Sequence, residues 1–188
     1  MNDKRLNLPI KAEELAGLRA GDRVLLSGSL YTARDAAHKR LIEMLDRGEP
    51  LPFPIENAFI YYTGPTPKRD NEIIGSAGPT TSYRMDAYTP RLLDLGLKGM
   101  IGKGRRSGEV IESIVKNRAV YLAAIGGAGA LLSSRILKAE VIAFPELSAE
   151  AIRRLEVKDF PATVIIDSKG NNLYELGPEK YLNKGLEI

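Results

Sequence analysis

The sequence of 188 residues contains no cysteine and only one histidine. Without cysteine, this chain can form no disulfide, offer no thiol nucleophile and hold no iron–sulfur cluster through thiolates of its own. A self-contained zinc site needs several histidine, cysteine or carboxylate ligands, so the single histidine argues against one. The sequence therefore predicts that the chain binds no metal by itself.

Long apolar runs are also missing. No stretch approaches the roughly 20 apolar residues of a membrane-spanning helix, and the polar start Met1-Asn2-Asp3-Lys4-Arg5 lacks the apolar centre of a signal peptide. Hydrophobic residues make up 44% and charged residues 27% of the chain, as in soluble globular proteins. We therefore expect a cytoplasmic protein without membrane contact, folded as a single domain over residues 1–188.

Positive charge is present in only slight excess. The formal net charge is +3, and the basic residues are interleaved with acidic ones. The densest basic cluster, Lys103-Gly104-Arg105-Arg106, is short, and no recognition motif or aromatic stacking platform accompanies it. This pattern predicts no nucleic-acid partner and a solvated surface position for most of these cations.

The apolar spacing predicts strands that alternate with helices. Strands are expected at residues 23–30, 58–62, 98–101, 119–125 and 141–144. Helices are expected from an N-cap at Thr32 to about Arg47, from Met85 to Leu95 with a stop at Gly96, over 109–116, and from a cap at Ser148 to about Leu155. Residues 162–167 and 172–176 resemble a hairpin around the turn 168–171. The order predicts an α/β fold with a mixed sheet.

The richest segment chemically is residues 75–86, Gly-Ser-Ala-Gly-Pro-Thr-Thr-Ser-Tyr-Arg-Met-Asp, which we call the signature loop. Gly78-Pro79 suggests a tight turn, because glycine permits unusual backbone angles and proline fixes the next one. Helical spacing resumes near Met85, so the loop is expected to lead into a helix N-terminus, where anions bind readily. A second glycine-rich stretch, Gly102-Lys103-Gly104, adds a cation. The segment predicts an anion-binding loop.

The signature loop, followed by Ile101-Gly102-Lys103-Gly104, resembles the β-subunit or C-terminal domain of class I fumarases. Tartrate dehydratases of the same iron–sulfur hydro-lyase family share the pattern. Ala33-Arg34-Asp35-Ala36-Ala37-His38 and Gly126-Gly127-Ala128-Gly129-Ala130 agree with it, so the likeness runs from about residue 20 to residue 175. The resemblance implies a swivelling β/β/α domain of three layers. It also implies a [4Fe-4S] cluster that a partner α-subunit holds and that acts as a Lewis acid on the substrate.

The function that this resemblance implies is that of the β-subunit of a class I fumarate hydratase. Such an enzyme interconverts fumarate and (S)-malate at a site shared between the subunits, so the chain alone would be inactive, and an α2β2 assembly is expected. One alternative is the β-subunit of L(+)-tartrate dehydratase. Another is a non-catalytic module that binds a dicarboxylate, which predicts that dicarboxylates bind this chain alone.

Three cations are candidates for binding the substrate carboxylates. The resemblance assigns this role to Arg34, Arg84 and Lys103, and an arginine suits it because its planar guanidinium matches a carboxylate in shape and charge. Taken one at a time, each of the three is better explained as a solvated surface charge.

Hydroxyl groups of the signature loop are the candidates for proton transfer. The resemblance implies that Thr80 is the catalytic base, activated by a carboxylate of the partner, because threonine alone is a poor base at neutral pH. Thr81 and Ser82 would donate hydrogen bonds to an oxyanion or a carboxylate. The alternative for Thr80 and Thr81 is that they only cap the loop and the next helix.

Three further residues are expected to support the site. Asp86 would orient Arg84 or stabilise the start of a helix. Asp35 and His38 follow Arg34 on one helix, and His38 lies four residues on, so it shares the face of Arg34. A packing role suits His38 equally well. The glycines of 126–130 do not fit a dinucleotide fingerprint, which argues against nucleotide binding.

Overall fold

The computed structural model describes residues 3–124 and 129–177. The strands are β1 (Lys4–Asn7), β2 (Arg23–Thr32), β3 (Phe59–Tyr61), β4 (Gly99–Gly102), β5 (Val120–Ala123), β6 (Ile136–Ala143) and β7 (Ile152–Ile166). The α-helices are α1 (Ala12–Ala16), α2 (Asp35–Asp46), α3 (Thr89–Asp94), α4 (Gly108–Asn117) and α5 (Gly129–Ser133). Two 3₁₀ helices span Ser82–Met85 and Pro145–Glu150, and residues 173–177 are helical.

These strands form one mixed sheet whose central part closes on itself. Strands β2, β3, β4 and β5 are parallel neighbours, and the long strand β7 pairs antiparallel with both β5 and β2. Five strands therefore make a barrel-like ring. Strand β1 extends the ring beside β2, and β6 extends it beside β7.

Side chains alternate between two apolar cores, as the period of two residues in a strand requires. In β3, Phe59 and Tyr61 belong to the first core and Ile60 to the second. The first core contains residues of all five ring strands and fills the interior of the ring. The second contains residues of α2, α3 and α4, so it lies between these helices and the sheet. The predicted three-layer α/β fold with a mixed sheet is thus confirmed.

Several predicted elements are confirmed with small shifts. They are the strands β2, β3, β4 and β5 and the helices α2 and α4. The predicted residue Ile125 lies outside the described part of the chain. Strand β6 begins five residues earlier than expected, at Ile136, because it pairs along β7. No helix in the described ranges is both long and apolar enough to cross a membrane.

The predicted N-cap at Thr32 is wrong. Thr32 is the buried last residue of β2, and its hydroxyl donates to the carbonyl of Ala151 at 3.3 Å and accepts from the N–H of Arg153 at 3.0 Å. The N-cap of α2 is Arg34, whose side chain caps nothing. The hydroxyl of Thr32 is therefore engaged by β7 and is not available to the helix.

The predicted helix from Met85 to Leu95 is interrupted. The structure has two separate helices here, the 3₁₀ helix Ser82–Met85 and α3. Pro90 lies in the first turn of α3. Proline suits the first turn of a helix because no N–H is needed there. Helix α3 ends before Gly96, which has a φ of 103°.

Two predictions near the C-terminus are also wrong. Residues 152–155 belong to β7 and not to a helix that begins at Ser148, because their backbone pairs with β2 and β6 on both sides. The predicted turn at 168–171 is confirmed, with one antiparallel bridge between Ile166 and Asn172, but residues 173–177 are helical and form no second strand. The side-chain oxygen of Asn172 accepts a hydrogen bond from the N–H of Tyr174 at 3.1 Å, as an N-cap residue does at the start of a helix.

Candidate functional site

The predicted site residues lie on loops at one edge of the sheet. Arg34 follows β2, the signature loop follows β3, and Lys103 follows β4. These strands are parallel neighbours, so their carboxyl ends lie side by side. In parallel α/β sheets ligands bind at this edge. The topology therefore brings three segments that are far apart in sequence to one place.

The signature loop is held to the end of β3 by hydrogen bonds. The Tyr61 hydroxyl donates to the carbonyl of Ala77, the Thr63 hydroxyl to that of Gly78 at 2.8 Å, and the Thr80 N–H to the carbonyl of Tyr62 at 2.7 Å. Burial raises the pKa of Tyr61, which keeps its hydroxyl protonated as a donor. The backbone before Thr80 is thus fixed at three points.

The predicted tight turn at Gly78-Pro79 is wrong. Residues 76–80 form no turn, and the φ of Gly78 is outside the left-handed region. The close approach occurs instead at Gly129, where a Cβ atom would lie 2.3 Å from Ser76 Oγ. The loop packs there against the start of α5, and the Ala77 N–H donates to the carbonyl of Gly129 at 3.3 Å. Residues 126–128 of the second glycine-rich motif lie outside the described part of the chain.

A chain of hydrogen bonds ties Ser82 to the backbone of Lys103 and Gly104. The Lys103 N–H donates to Ser82 Oγ at 3.1 Å, and Ser82 Oγ lies 2.9 Å from the Tyr121 hydroxyl. That hydroxyl donates in turn to the carbonyl of Gly104 at 2.9 Å, so Ser82 donates to Tyr121. A Cβ at Gly102 would lie 2.0 Å from Ser82 Oγ, so glycine is required there. Ser82 is fully buried and holds two site loops together.

Asp86 pairs with Arg106 and not with Arg84. Its carboxylate accepts from Arg106 Nε and from the Ser107 N–H, both at 2.6 Å. Arg106 also donates to the Thr89 hydroxyl at 2.8 Å. Its side chain has no exposed surface, so Arg106 is an exception to the expectation that most of these cations are solvated. This buried pair fixes the end of the signature loop to the start of α4.

Sequence reasoning missed Arg106 because a run of basic residues usually marks a solvated surface. The neighbouring aromatic residues carried a signal that could have identified it. The guanidinium carbon lies 5.5 Å from the ring centre of Tyr62 and 5.0 Å from that of Tyr121. Aromatic faces attract an arginine in this way, and both tyrosines belong to predicted strands.

Asp35 brings two of the candidate cations together. Its Oδ2 atom lies 3.2 Å from Arg84 Nη2 and 3.8 Å from Arg34 Nη2. Glu150, which sequence reasoning did not single out, lies 3.3 Å from the same Arg34 atom. The Arg34 and Arg84 side chains keep 23% and 40% of their surface exposed, so both remain within reach of a ligand.

His38 is fully buried behind these cations. Its Nδ1 lies 2.8 Å from the carbonyl of Arg34, so Nδ1 carries the proton and donates. Burial lowers the pKa of His38 to about 4, and the positive charge of Arg106 acts in the same direction. The ring is therefore neutral at pH 7 and steadies the backbone of Arg34 from inside.

The remaining candidates are less confined. Thr80 and Thr81 are half-buried, and Lys103 is exposed. Thr81 is the N-cap of the 3₁₀ helix, but its side chain makes no capping bond, and its backbone pairs with Lys103. Within the described ranges, neither the Thr80 hydroxyl nor the Lys103 amine makes a hydrogen bond to a protein group. These groups are available to a ligand or to another chain.

No described residues form a site for a metal. Within residues 3–124 and 129–177, no three histidine or acidic side chains lie close enough together to hold an ion. A cavity of about 480 Å³ lies between residues 65–75 and strand β6, and none of the candidate site residues lines it. The candidate residues lie instead at the carboxyl edge of the sheet, where Arg34 and Arg84 share the carboxylate of Asp35.

The sequence of the chain is similar to those of known hydro-lyases. The model of the Fumarase C-terminus family matches residues 2–177. The chain is 42% identical to fumarate hydratase 2 of Leishmania major over 164 residues, 86% of this chain and 29% of that protein. It is 40% identical to the aerobic class I fumarate hydratase of Salmonella typhimurium over 174 residues, 90% of this chain and 30% of that protein.

A shorter relative is matched over nearly its whole length. The chain is 39% identical over 182 residues to a protein of Methanocaldococcus jannaschii named as the putative L(+)-tartrate dehydratase subunit beta. That match covers 94% of this chain and 93% of the relative. The chain thus spans about 30% of the length of the fumarate hydratases but most of the length of this subunit.

Proposed function

Because the chain belongs to the Fumarase C-terminus family, we propose that it is the β-subunit of a [4Fe-4S]-dependent class I fumarate hydratase. It would take part in the reversible hydration of fumarate to (S)-malate at a site shared with an α-subunit. The assembly would be α2β2 and cytoplasmic. The match over 93% of a relative named as a beta subunit supports a separate subunit.

The observation that carries this proposal is the pairing of Arg34 and Arg84 on one carboxylate. Both Nη2 atoms lie within 4 Å of Asp35 Oδ2, so two guanidinium groups lie side by side at the ligand-binding edge of the sheet. With Lys103 they exceed the charge of Asp35 and Glu150 by one positive unit. A dicarboxylate supplies the negative charge that such a group of cations attracts.

In this proposal each cation has a distinct task. Arg84, which is 40% exposed, would exchange Asp35 for a substrate carboxylate. Arg34, which two acidic partners hold in place, would bind the same carboxylate. Lys103 would approach the other carboxylate from the loop after β4. Two fixed carboxylates orient the carbon–carbon double bond between them, and such orientation supplies a large part of the rate in this type of reaction.

Thr80 is proposed to move the proton. Its backbone is fixed by the bond to the carbonyl of Tyr62, and its hydroxyl is not hydrogen-bonded to a protein group in the described ranges. A threonine hydroxyl needs a base to accept its proton before it can remove one from carbon. No described carboxylate bonds to this hydroxyl, so we propose that the activating carboxylate belongs to the α-subunit.

The iron–sulfur cluster does not fit this chain. The sequence has no cysteine, and the described residues include no group of three metal ligands. We therefore propose that the α-subunit holds the cluster. The role of this chain is to bind and orient the substrate carboxylates and to present Thr80.

L(+)-tartrate is the second candidate substrate, because the relative matched over 93% of its length is named as a tartrate dehydratase subunit. Tartrate differs from malate by one hydroxyl, and a site built to bond that hydroxyl would reject malate.

The test is a reconstitution of this chain with the cluster-bearing α-subunit under anaerobic conditions. Hydration of fumarate should appear in the mixture and in neither chain alone. The ratio of kcat/KM values for malate and tartrate then decides between the two substrates. A mixture that contains an intact cluster but acts on neither fumarate nor malate nor tartrate would contradict both assignments. Binding of dicarboxylates to this chain alone would then favour a binding module.

A further inference from the structure

The segment before β7 packs against the start of α2. It contains the 3₁₀ helix Pro145–Glu150, which no sequence argument connected with the site. Two of its residues, Phe144 and Ser148, have positive φ angles of 54° and 51°. Positive φ is costly for side chains of this kind and persists where surrounding contacts enforce it. Contacts around this segment must therefore enforce its backbone conformation.

Glu150 makes two contacts at the N-terminus of α2. Its Oε2 accepts from the N–H of Ala36 at 2.9 Å, and its Oε1 lies 3.3 Å from Arg34 Nη2. The Arg34 side chain does not cap α2, so the carboxylate of Glu150 satisfies one of the free N–H groups of the first turn. One carboxylate thus fixes both the helix start and the guanidinium beside it.

The guanidinium of Arg34 has little freedom on its other sides. A Cβ atom at Gly64 would lie 2.7 Å from Arg34 Nη1, so the side chain lies directly on this glycine. Arg34 Nε is buried and has no hydrogen-bond partner among the described residues. The only charged partners of Arg34 in the described ranges are therefore Glu150 and Asp35, both at Nη2.

The backbone that carries Glu150 is itself held by Arg153. Its guanidinium donates to the carbonyls of Ser148 at 2.9 Å, Ala151 at 3.2 Å and Ala149 at 3.3 Å. Thr32 of β2 holds the carbonyl of Ala151 as well. The strained segment is therefore anchored to the sheet on both sides of Glu150.

We propose that Glu150 is a positioning residue that fixes the guanidinium of Arg34 for the substrate carboxylate. This inference rests on the proposed function, in which Arg34 binds the substrate. Glu150 contacts no candidate catalytic group. It acts through Arg34 by opposing its charge, occupying Nη2 and fixing the first turn of α2.

The same segment supplies a matched control. Glu146 Oε1 lies 3.3 Å from Arg40 Nη2, the distance that separates Glu150 Oε1 from Arg34 Nη2. Both pairs join the 3₁₀ helix to α2, but Arg40 lies further along α2 and is no site candidate. Glu146→Gln therefore removes an ion pair of the same length, though a more exposed one, between the same two segments and leaves Arg34 as it is.

The first measurement is nuclear magnetic resonance of the Arg34 Nε–H group in the full chain, assigned by its loss in Arg34→Lys. Because Arg34 Nε is buried, its proton should exchange slowly with water. Glu150→Gln should accelerate this exchange by about tenfold or more, since a charge-assisted contact is lost. Glu146→Gln should leave it unchanged. Unchanged exchange in Glu150→Gln would overturn the positioning role.

The second measurement is steady-state kinetics of the reconstituted complex. Glu150→Gln should raise KM for the dicarboxylate by about tenfold with kcat within about threefold, because carboxylate binding is weakened. Glu150→Asp keeps the charge with a shorter reach and should fall between this variant and the wild type. Faster exchange with an unchanged KM would overturn the functional role. If the wild-type complex hydrates no dicarboxylate, the proposed function fails, while the exchange rates still decide whether Glu150 orients Arg34.

Discussion

The signature loop has a buried side and an accessible side that are built differently. On the buried side, Ser82 and Asp86 use their oxygen atoms to bond the Lys103 loop, Tyr121, Arg106 and Ser107. On the accessible side, the hydroxyl of Thr80 bonds no described protein group. Within the described ranges, the only ion pair of Arg84 is with Asp35, at 3.2 Å. The side chains of Ser82 and Asp86 are thus hydrogen-bonded within the fold, whereas those of Thr80 and Arg84, each two positions earlier, make few contacts with it.

This difference shows how a short motif can serve two purposes. A polar side chain that is hydrogen-bonded to buried partners fixes the backbone. The accessible side chain two residues earlier is then held in a defined position. Thr80 precedes Ser82, and Arg84 precedes Asp86, so the pattern occurs twice. Substitutions on the accessible side should reduce activity, and those on the buried side should reduce stability. The following variants test this separation.

The largest effect is expected for Thr80→Val. The variant removes the hydroxyl and keeps the shape of the side chain, and loss of a proton-transfer group should lower kcat of the reconstituted complex by about 10²- to 10⁴-fold. The free energy of unfolding of the chain should change by less than about 1 kcal/mol. Thr81→Val is the matched variant, in which we expect KM to rise and kcat to stay within about tenfold. A kcat for Thr80→Val within tenfold of the wild type would contradict the proposed role.

Arg106→Met tests the buried side. The change leaves the Asp86 carboxylate without its buried partner, which should lower the free energy of unfolding by about 3–5 kcal/mol. Chemical denaturation of the chain gives this value. Arg105→Met, at the exposed neighbouring position, should change it by less than about 0.5 kcal/mol. Equal effects of the two variants would show that Arg106 is not a structural cation.

The pH dependence of stability tests the buried His38. Burial lowers its pKa to about 4 from 6.5, so the unfolded state takes up the proton first as the pH falls. The contribution of His38 to stability is complete above pH 6.5 and is lost between pH 6.5 and about 4. The loss should reach about 3 kcal/mol, since one pKa unit corresponds to about 1.4 kcal/mol.

The control for this prediction is His38→Asn, whose amide can still donate to the carbonyl of Arg34. Other acidic groups titrate equally in both proteins, so the difference between the two pH curves belongs to the histidine. It is the only histidine in the sequence. Parallel curves between pH 6.5 and 4 would mean that the ring is not buried in neutral form.

The sequence pattern was sufficient to predict the α/β class and most strands of the ring, and the family resemblance supplied the three layers. Strands β2, β3, β4 and β5 are short apolar runs separated by turn residues, so local pattern is sufficient to find them. Strand β7 was partly missed, because residues 149–155 have the spacing of a helix. Their strand conformation comes from pairing with β2 and β6, and distant pairing overrides local preference.

The arrangement within the site could be predicted only in part. A family motif identifies Arg34, Arg84 and Lys103, but it does not show that Asp35 pairs the two arginines. Charge partners such as Asp86 and Arg106, or Glu150 and Arg34, are separated by 20 and 116 positions in the chain. Nothing in the local pattern relates such residues, so only the folded chain shows which acid opposes which base.

The closed ring of strands has a consequence for the order of events during synthesis. Strand β7 pairs with one edge of β2 and with one edge of β5, and so closes the ring. It ends at Ile166. When residues 1–150 have left the ribosome and β7 has not, strands β1 to β5 form a parallel sheet in which the edges of β2 and β5 that β7 covers are open. Such edges pair readily with other chains. The growing polypeptide is thus most exposed to aggregation just before its last long strand emerges, and a pause in translation there should increase misassembly.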